Sequence, residues 1–287
     1  MCWVCDEYGD GTRWFLNPQN YARFMYTVKR PGDAPKEYGS DPEAQSGRIL
    51  GEIMTAKVQD PEKFAELVKK ANQRDMAFPK GPIQLAQTVT LDEAKEVCDI
   101  AYPIAAMFCL CRHHVRAQEE TNEHEYSCTG LGVGMLKWER WPERYKGGVH
   151  FMDADEAKEW LAKWDKAGFM HLLMTFGVSP SGGPYMGGIC NCSYPDCLAI
   201  RGRLDYGLEL NALKGHYVAK VDYDLCNGCG ICVQRCQFGA LKFEVVKDRP
   251  NIDQFRCFGC GLCQSGCPQN AITLVERESL PALKEAW

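Results

Sequence analysis

At 287 residues and 45% hydrophobic, the chain can bury one good core and a second small one, while a net charge of −5 with no basic tract argues against a nucleic-acid partner. Seventeen cysteines far exceed the usual share for this length, so thiol chemistry belongs to the function. The opening MCWVCDEYGDGTRW has neither the basic start nor the apolar core of a secretory signal, and the longest apolar-looking run, residues 102–111, has about half of the roughly 20 residues a membrane helix needs. The expectation is a cytoplasmic protein without membrane insertion, whose clustered thiols bind metal in preference to forming disulfides.

Residues 1–58 read as an N-terminal segment. Its Cys2 and Cys5 form a C-x2-C suited to metal or redox chemistry, but they supply two donors where a metal needs more. An α+β domain is expected over 59–210. Asp60 caps a helix with Pro61 in its first turn and Phe64, Leu67 and Val68 on one face. A strand follows at 83–89, and Thr90 with Glu93 forms a capping box for the helix LDEAKEVCDIA, which Pro103 ends. The apolar run IAAMFCL then reads as a buried strand.

A similar passage recurs 63 residues on. GGVHFM reads as a strand, Asp153 and Glu156 make a second capping box, the helix ADEAKEWLAKWDKAG stops at Gly168, and FMHLLMTF is a buried strand. The pentapeptide DEAKE occurs in both helices, at 92 and at 155, and each unit leads to a Cys-x-Cys, 109/111 and 190/192. The first of these cysteines lies 17 residues from its DEAKE and the second 35, an 18-residue excess that the loop GVSPSGGPYMGG could largely hold. The common use of Asp, Glu, Ala and Lys in capped helices accounts for the repeat as coincidence. Duplicated strand-helix-strand units account for it more sharply, and would bring both Cys-x-Cys ends to one edge of a sheet. On the second reading, Cys109, Cys111, Cys128, Cys190, Cys192 and Cys197 supply more than the four thiolates of a 4Fe-4S cluster, with glycines 182, 183, 187 and 188 letting backbone close over it. Zinc binding and simple burial are the alternatives. Cys98, within a helix, reads as core.

Near the C-terminus CNGCGICVQRCQFGAL, from 226, is echoed by CFGCGLCQSGCPQNAI, from 257. Each runs C-x2-C-x2-C-x3-C. Two intervening residues let a tight turn wrap three corners of a cubane, and glycines allow the close approach. Zinc has no use for the third cysteine. Over residues 216–275 the pattern resembles the bacterial-type ferredoxin with two 4Fe-4S clusters. The resemblance implies crossed ligand sets: Cys226, Cys229, Cys232 and Cys267 for one cluster, Cys257, Cys260, Cys263 and Cys236 for the other. Pro268 follows Cys267 as the pattern expects, but Gln237 stands where a proline should follow Cys236. Within 216–275 six Lys and Arg oppose five Asp and Glu, a near-neutral balance that suits a module wired to a fixed neighbour better than a free-diffusing acidic carrier. The dicluster domain is expected over 211–276, with a tail at 277–287.

The wider arrangement, from about 90 to 275, resembles a broad family of 4Fe-4S dicluster proteins of anaerobic microbes that carry upstream C-x-C-R and C-N-C elements, here CLCR at 109–112 and CNCSYPDC at 190–197. That resemblance implies electron transfer, as a protein or subunit serving an oxidoreductase partner. It names no substrate. A redox enzyme binding substrate at an upstream cluster, with His113 or His114 as acid or base, and an iron–sulfur or thiol redox sensor using Cys2 and Cys5 or the upstream site are the alternatives. GLGVG at 130–134 is no dinucleotide fingerprint, and Trp160 and Trp164 read as core.

Overall fold

The computed structural model describes residues 2–21, 42–77, 81–109, 111–112, 126–132, 135, 149–178 and 184–287. Its centre is a six-stranded antiparallel sheet built from β1 (Ala86–Val89), β2 (Ile104–Met107), β3 (Cys128–Leu131), β4 (Val149–Met152), β5 (Met170–Val178) and β6 (Pro184–Cys192), ordered β1-β5-β6-β3-β2-β4. Helices α4 (Leu91–Ile100) and α5 (Ala154–Lys166) follow β1 and β4, after α1 (Trp3–Tyr8), α2 (Pro42–Gln59) and α3 (Pro61–Ala71). Both capping boxes form. Thr90 Oγ1 accepts from Glu93 N at 3.2 Å while Glu93 Oε2 accepts from Thr90 N at 2.8 Å, and Asp153 with Glu156 repeats the exchange at 2.8 and 3.0 Å. Each box satisfies donors that a helix start leaves unpaired.

The sheet order reads the same backwards when the two units exchange names. Each unit is strand-helix-strand-strand, one strand longer than the sequence suggests. The outer strands are exchanged, with β1 pairing to β5 of the second unit and β4 to β2 of the first. The 18-residue excess ahead of the second Cys-x-Cys is accordingly taken up mainly by the β5–β6 hairpin, and Gly187 and Gly188 lie inside β6.

Alternation along the strands divides the sheet into two faces. Val89, Ile104, Leu131, Leu173 and Ile189 pack under the helices against Ala94, Val97, Cys98, Ala157 and Leu161. The N-terminal Cys2, Val4, Cys5, Trp14 and Phe15 enter this same core. On the opposite face Ala86, Met170, Leu172 and Cys192 pack against Phe238, Phe258 and Leu262 of the C-terminal part. That part follows α6 (Leu198–Tyr206) and holds β7 (Tyr217–Val221) paired with β10 (Ile272–Glu276), β8 (Leu241–Glu244) paired with β9 (Arg249–Ile252), and two short helices, α7 (Ile231–Arg235) and α8 (Leu262–Ser265). Among the described residues no helix is long and apolar enough to cross a membrane.

Candidate metal centres

The C-terminal repeat folds so that each motif wraps a small space. Gly228 and Gly259 take φ of 76° and 71°, and a Cβ there would meet the carbonyl oxygens of Asp248 at 2.5 Å and Tyr217 at 2.2 Å. Glycine is required on both counts. Cys226, Cys229, Cys232 and Cys267 line one small pocket; Cys236, Cys257, Cys260 and Cys263 line another. In each, the fourth thiol comes from the other motif. Backbone amides aim at two of the sulfurs, Ala271 N at Cys267 Sγ (3.3 Å) and Ala219 N at Cys257 Sγ (3.5 Å). Burial pushes the thiol of Cys232 up to about 11 and that of Cys260 up to about 12, and lifts Cys257 and Cys263 as well. Left to themselves these groups stay protonated, and a strong cationic centre is needed to draw thiolates from them. Four sulfurs around an apolar space, with no carboxylate among the lining residues, fit a cubane cluster.

The two thiol sets differ in the exposure of their members. Cys229 is exposed, whereas Cys257 and Cys263 are buried. The buried cavity is walled by Phe238 and Phe258, which belong to the same packed cluster as Cys192 and Cys197.

Upstream, six thiols meet at one end of the sheet. Cys128 faces Cys190 across the β3–β6 pair, with sulfurs 3.9 Å apart. Cys192, two residues along β6, lies on the same face as Cys190. Neighbouring thiols then interact in turn around a ring that runs Cys109, Cys111, Cys197, Cys192, Cys190, Cys128 and back to Cys109. Acidity alternates around it. The thiols on either side lower Cys109, Cys190 and Cys197, while Cys111, Cys192 and Cys128 are raised. Adjacent thiolates repel, so a metal-free ring carries charge at every second position at most. The guanidinium of Arg112, buried beside Cys109, adds compensating charge and is held by Ser127 Oγ, by Ser193 Oγ at 3.0 Å and by Asp196 at 3.7 Å.

Position in the repeat does not explain this convergence. Cys109 and Cys111 come after β2, beyond its last residue, whereas Cys190 and Cys192 end β6, so the two Cys-x-Cys elements are not equivalent. They meet because β2, β3 and β6 are neighbours and present their cysteine-bearing ends together. Cys98 is core. His113, His114 and glycines 182 and 183 lie outside the described residues.

Gln237 ties the two halves. Its Nε2 donates to the carbonyl of Gly168 and its Oε1 accepts from Tyr194 N, both at 2.8 Å. Arg235, in the same motif, donates to the carbonyl of Asp165 at 2.7 Å and to that of Lys166 at 3.3 Å. It thereby puts a cation on the carbonyl end of α5, where the helix dipole favours one. At the N-terminus, Cys2 and Cys5 are met by His216, a residue without any local signal in the sequence.

Residues 219–268 match the family model described as a 4Fe-4S dicluster domain. No curated protein matches the chain. The chain is therefore an α+β protein whose C-terminal part is an iron–sulfur dicluster domain, a domain type suited to electron transfer.

Proposed function

We propose that this chain is an electron-transfer protein, or the electron-transfer subunit of an oxidoreductase, holding two 4Fe-4S clusters in its dicluster domain and a third at the upstream thiol ring. Cys226, Cys229, Cys232 and Cys267 hold one cluster; Cys257, Cys260, Cys263 and Cys236 hold the second; the third takes four of Cys109, Cys111, Cys128, Cys190, Cys192 and Cys197. Bound clusters would supply one-electron redox chemistry. The observation that carries the reading is the packing of Phe238 and Phe258 between the inner four-thiol cavity and the six-thiol ring. The chain's residues thus set three thiol groups in succession, hold water away from the inner two, and leave the first near the surface at Cys229.

Exposed Leu225 and Ile231 lie beside that outer set, and exposed Val245 and Val246 mark the turn between β8 and β9. An apolar rim next to a solvent-near redox site suits a protein partner, and the near-neutral charge of the module suits a partner held in place. A reducing cytoplasm would keep all three thiol sets available for iron.

The test is anaerobic purification with iron and sulfide analysis and electron paramagnetic resonance of the dithionite-reduced protein. About twelve irons per chain are expected, four for each cluster. Cys267→Ser should perturb the signal of the first cluster and spare the second. Zinc in place of iron, or equal damage to both signals, would overturn the assignment.

A further inference from the structure

The pair Cys2 and Cys5 has no part in the proposed electron path, yet it is completed by a third donor from more than 200 residues away. Cys2 Sγ and Cys5 Sγ are 3.2 Å apart, and His216 Nε2 lies 3.7 Å from the first and 3.3 Å from the second. Among the described residues this is the group of three metal-type donors whose ligand atoms all fall within 4.8 Å of one another. All three residues are buried, with Phe15 and Trp287 rings against the imidazole at 5.6 and 5.5 Å.

The surroundings orient these donors inward. His216 Nδ1 has no hydrogen-bond partner of good geometry and faces Glu93 Oε1 at 3.5 Å. A carboxylate there holds the ring proton on Nδ1 and leaves the Nε2 lone pair for the two sulfurs, which is the outer arrangement that metal-bound histidines use. Glu93 is itself held by Arg13. Gln87 Nε2 approaches Cys2 Sγ at 3.7 Å while its Oε1 accepts from Trp14 Nε1 at 2.5 Å, so a fixed amide donor faces a sulfur in position to become a thiolate.

We propose that Cys2, Cys5 and His216 bind one zinc ion, separate from the iron–sulfur sites, that fastens the N-terminal segment to the start of the dicluster domain. With metal–sulfur bonds of about 2.3 Å and metal–nitrogen bonds of about 2.0 Å, a tetrahedral site spaces sulfur from nitrogen by about 3.5 Å and sulfur from sulfur by about 3.8 Å. The two sulfur–nitrogen separations straddle the first value, and the sulfurs need to part by about 0.6 Å to reach the second. Two thiolates neutralise the dication, so the loaded site adds no net charge to a buried region. Two thiol protons are released on binding, one from each cysteine. The fourth corner falls to a small ligand such as water. His216 immediately precedes β7, and its carbonyl accepts from Arg277 N at 2.7 Å, so the ion would join the N-terminal residues to the first strand of the dicluster domain.

The full chain, purified anaerobically from zinc-supplemented medium, should carry one zinc in addition to its iron. Cys5→Ser and His216→Ala should each lose that zinc with the iron content unchanged. Cobalt(II) introduced in place of zinc should show tetrahedral d–d bands and a thiolate charge-transfer band. His216→Cys should keep the ion and strengthen that charge-transfer band, which preserves the test if the other variants fold poorly. Absence of stoichiometric zinc in the native chain, zinc retained in both loss variants, a fourth-site iron in its place, or a native mass two daltons low from a Cys2–Cys5 disulfide would each overturn the proposal.

Discussion

Phe238 and Phe258 stack face to face, with ring centroids 3.8 Å apart and planes within 5° of parallel. One follows the fourth cysteine of the first motif by two residues and the other directly follows the first cysteine of the second motif, so the crossed thiol sets and the stacked rings fix each other. Truncating a buried aromatic costs about 3–5 kcal/mol. Phe238→Ala is expected to lower anaerobic stability by about that amount and to speed iron loss to a chelator, with Phe238→Leu milder. Unchanged chelation kinetics in Phe238→Ala would show that the ring does not shield the inner cavity.

Gln237 bonds Gly168 and Tyr194 across the two halves. Net contributions of about 0.5–1.5 kcal/mol per hydrogen bond put Gln237→Ala about 1–3 kcal/mol below the wild type in docking the halves. Hydrogen exchange should quicken around 168 and 194, while the irons of the dicluster domain stay in place. Exchange confined to the motif itself would assign Gln237 a purely local role.

Replacing Cys111 and Cys192 together leaves four ring thiols with broken order. The double serine variant is expected to lose about four irons and to retain the ferredoxin-type signals. An unaltered iron count would make these cysteines packing residues. A loss of all iron would mean that the ring is needed for the fold before it is needed for redox chemistry.

Lys214 donates to the carbonyls of Phe255 at 2.8 Å and Ala286 at 3.2 Å, and burial, with Arg277 and Arg203 close by, pushes its ammonium down to about 8. A free lysine titrates near about 10.4. Between these values the unfolded chain binds more protons than the folded one, so stability rises with pH across that window, and the burial penalty is full below about 8. Lys214→Met removes the titration. Wild type should therefore gain on the variant between pH 7 and pH 9.5 in anaerobic denaturation. Parallel pH profiles would contradict the shift.

The sequence announces what is local. Both capping boxes, the helices they open, and the cysteine spacing of the two C-terminal motifs each lie within a few residues, where a side chain's chemistry dictates its neighbour's geometry. Cys190 and Cys192 sit on an extended strand as alternation suggests, but Cys109 and Cys111 do not, because β2 ends at Met107. The third strand of each unit and the exchange of β1 and β4 leave no periodic trace, since pairing partners are chosen between distant segments. His216 is the extreme case: one histidine in GHY, 211 residues from Cys5, acquires meaning through Glu93, Gln87 and the N-terminal helix that the fold gathers round it. The departure at Gln237 was visible as a missing proline, but its contacts with Gly168 and Tyr194 depend on how two domains meet.

Exchange of the outer strands has a consequence for biosynthesis. The first unit cannot complete its own sheet, because β4 must arrive to cover β2 and β5 must arrive to pair β1. Three ring thiols, Cys109, Cys111 and Cys128, belong to the first unit, and Cys190, Cys192 and Cys197 follow in the second. Synthesis must therefore pass residue 197 before the ring can exist, and the dicluster motifs that pack against it emerge later still. Metal delivered while only the first unit has emerged would meet three of the six thiols, so any loading of the ring must wait until the second unit has been made, with the early thiols needing protection from oxygen and stray metal until then.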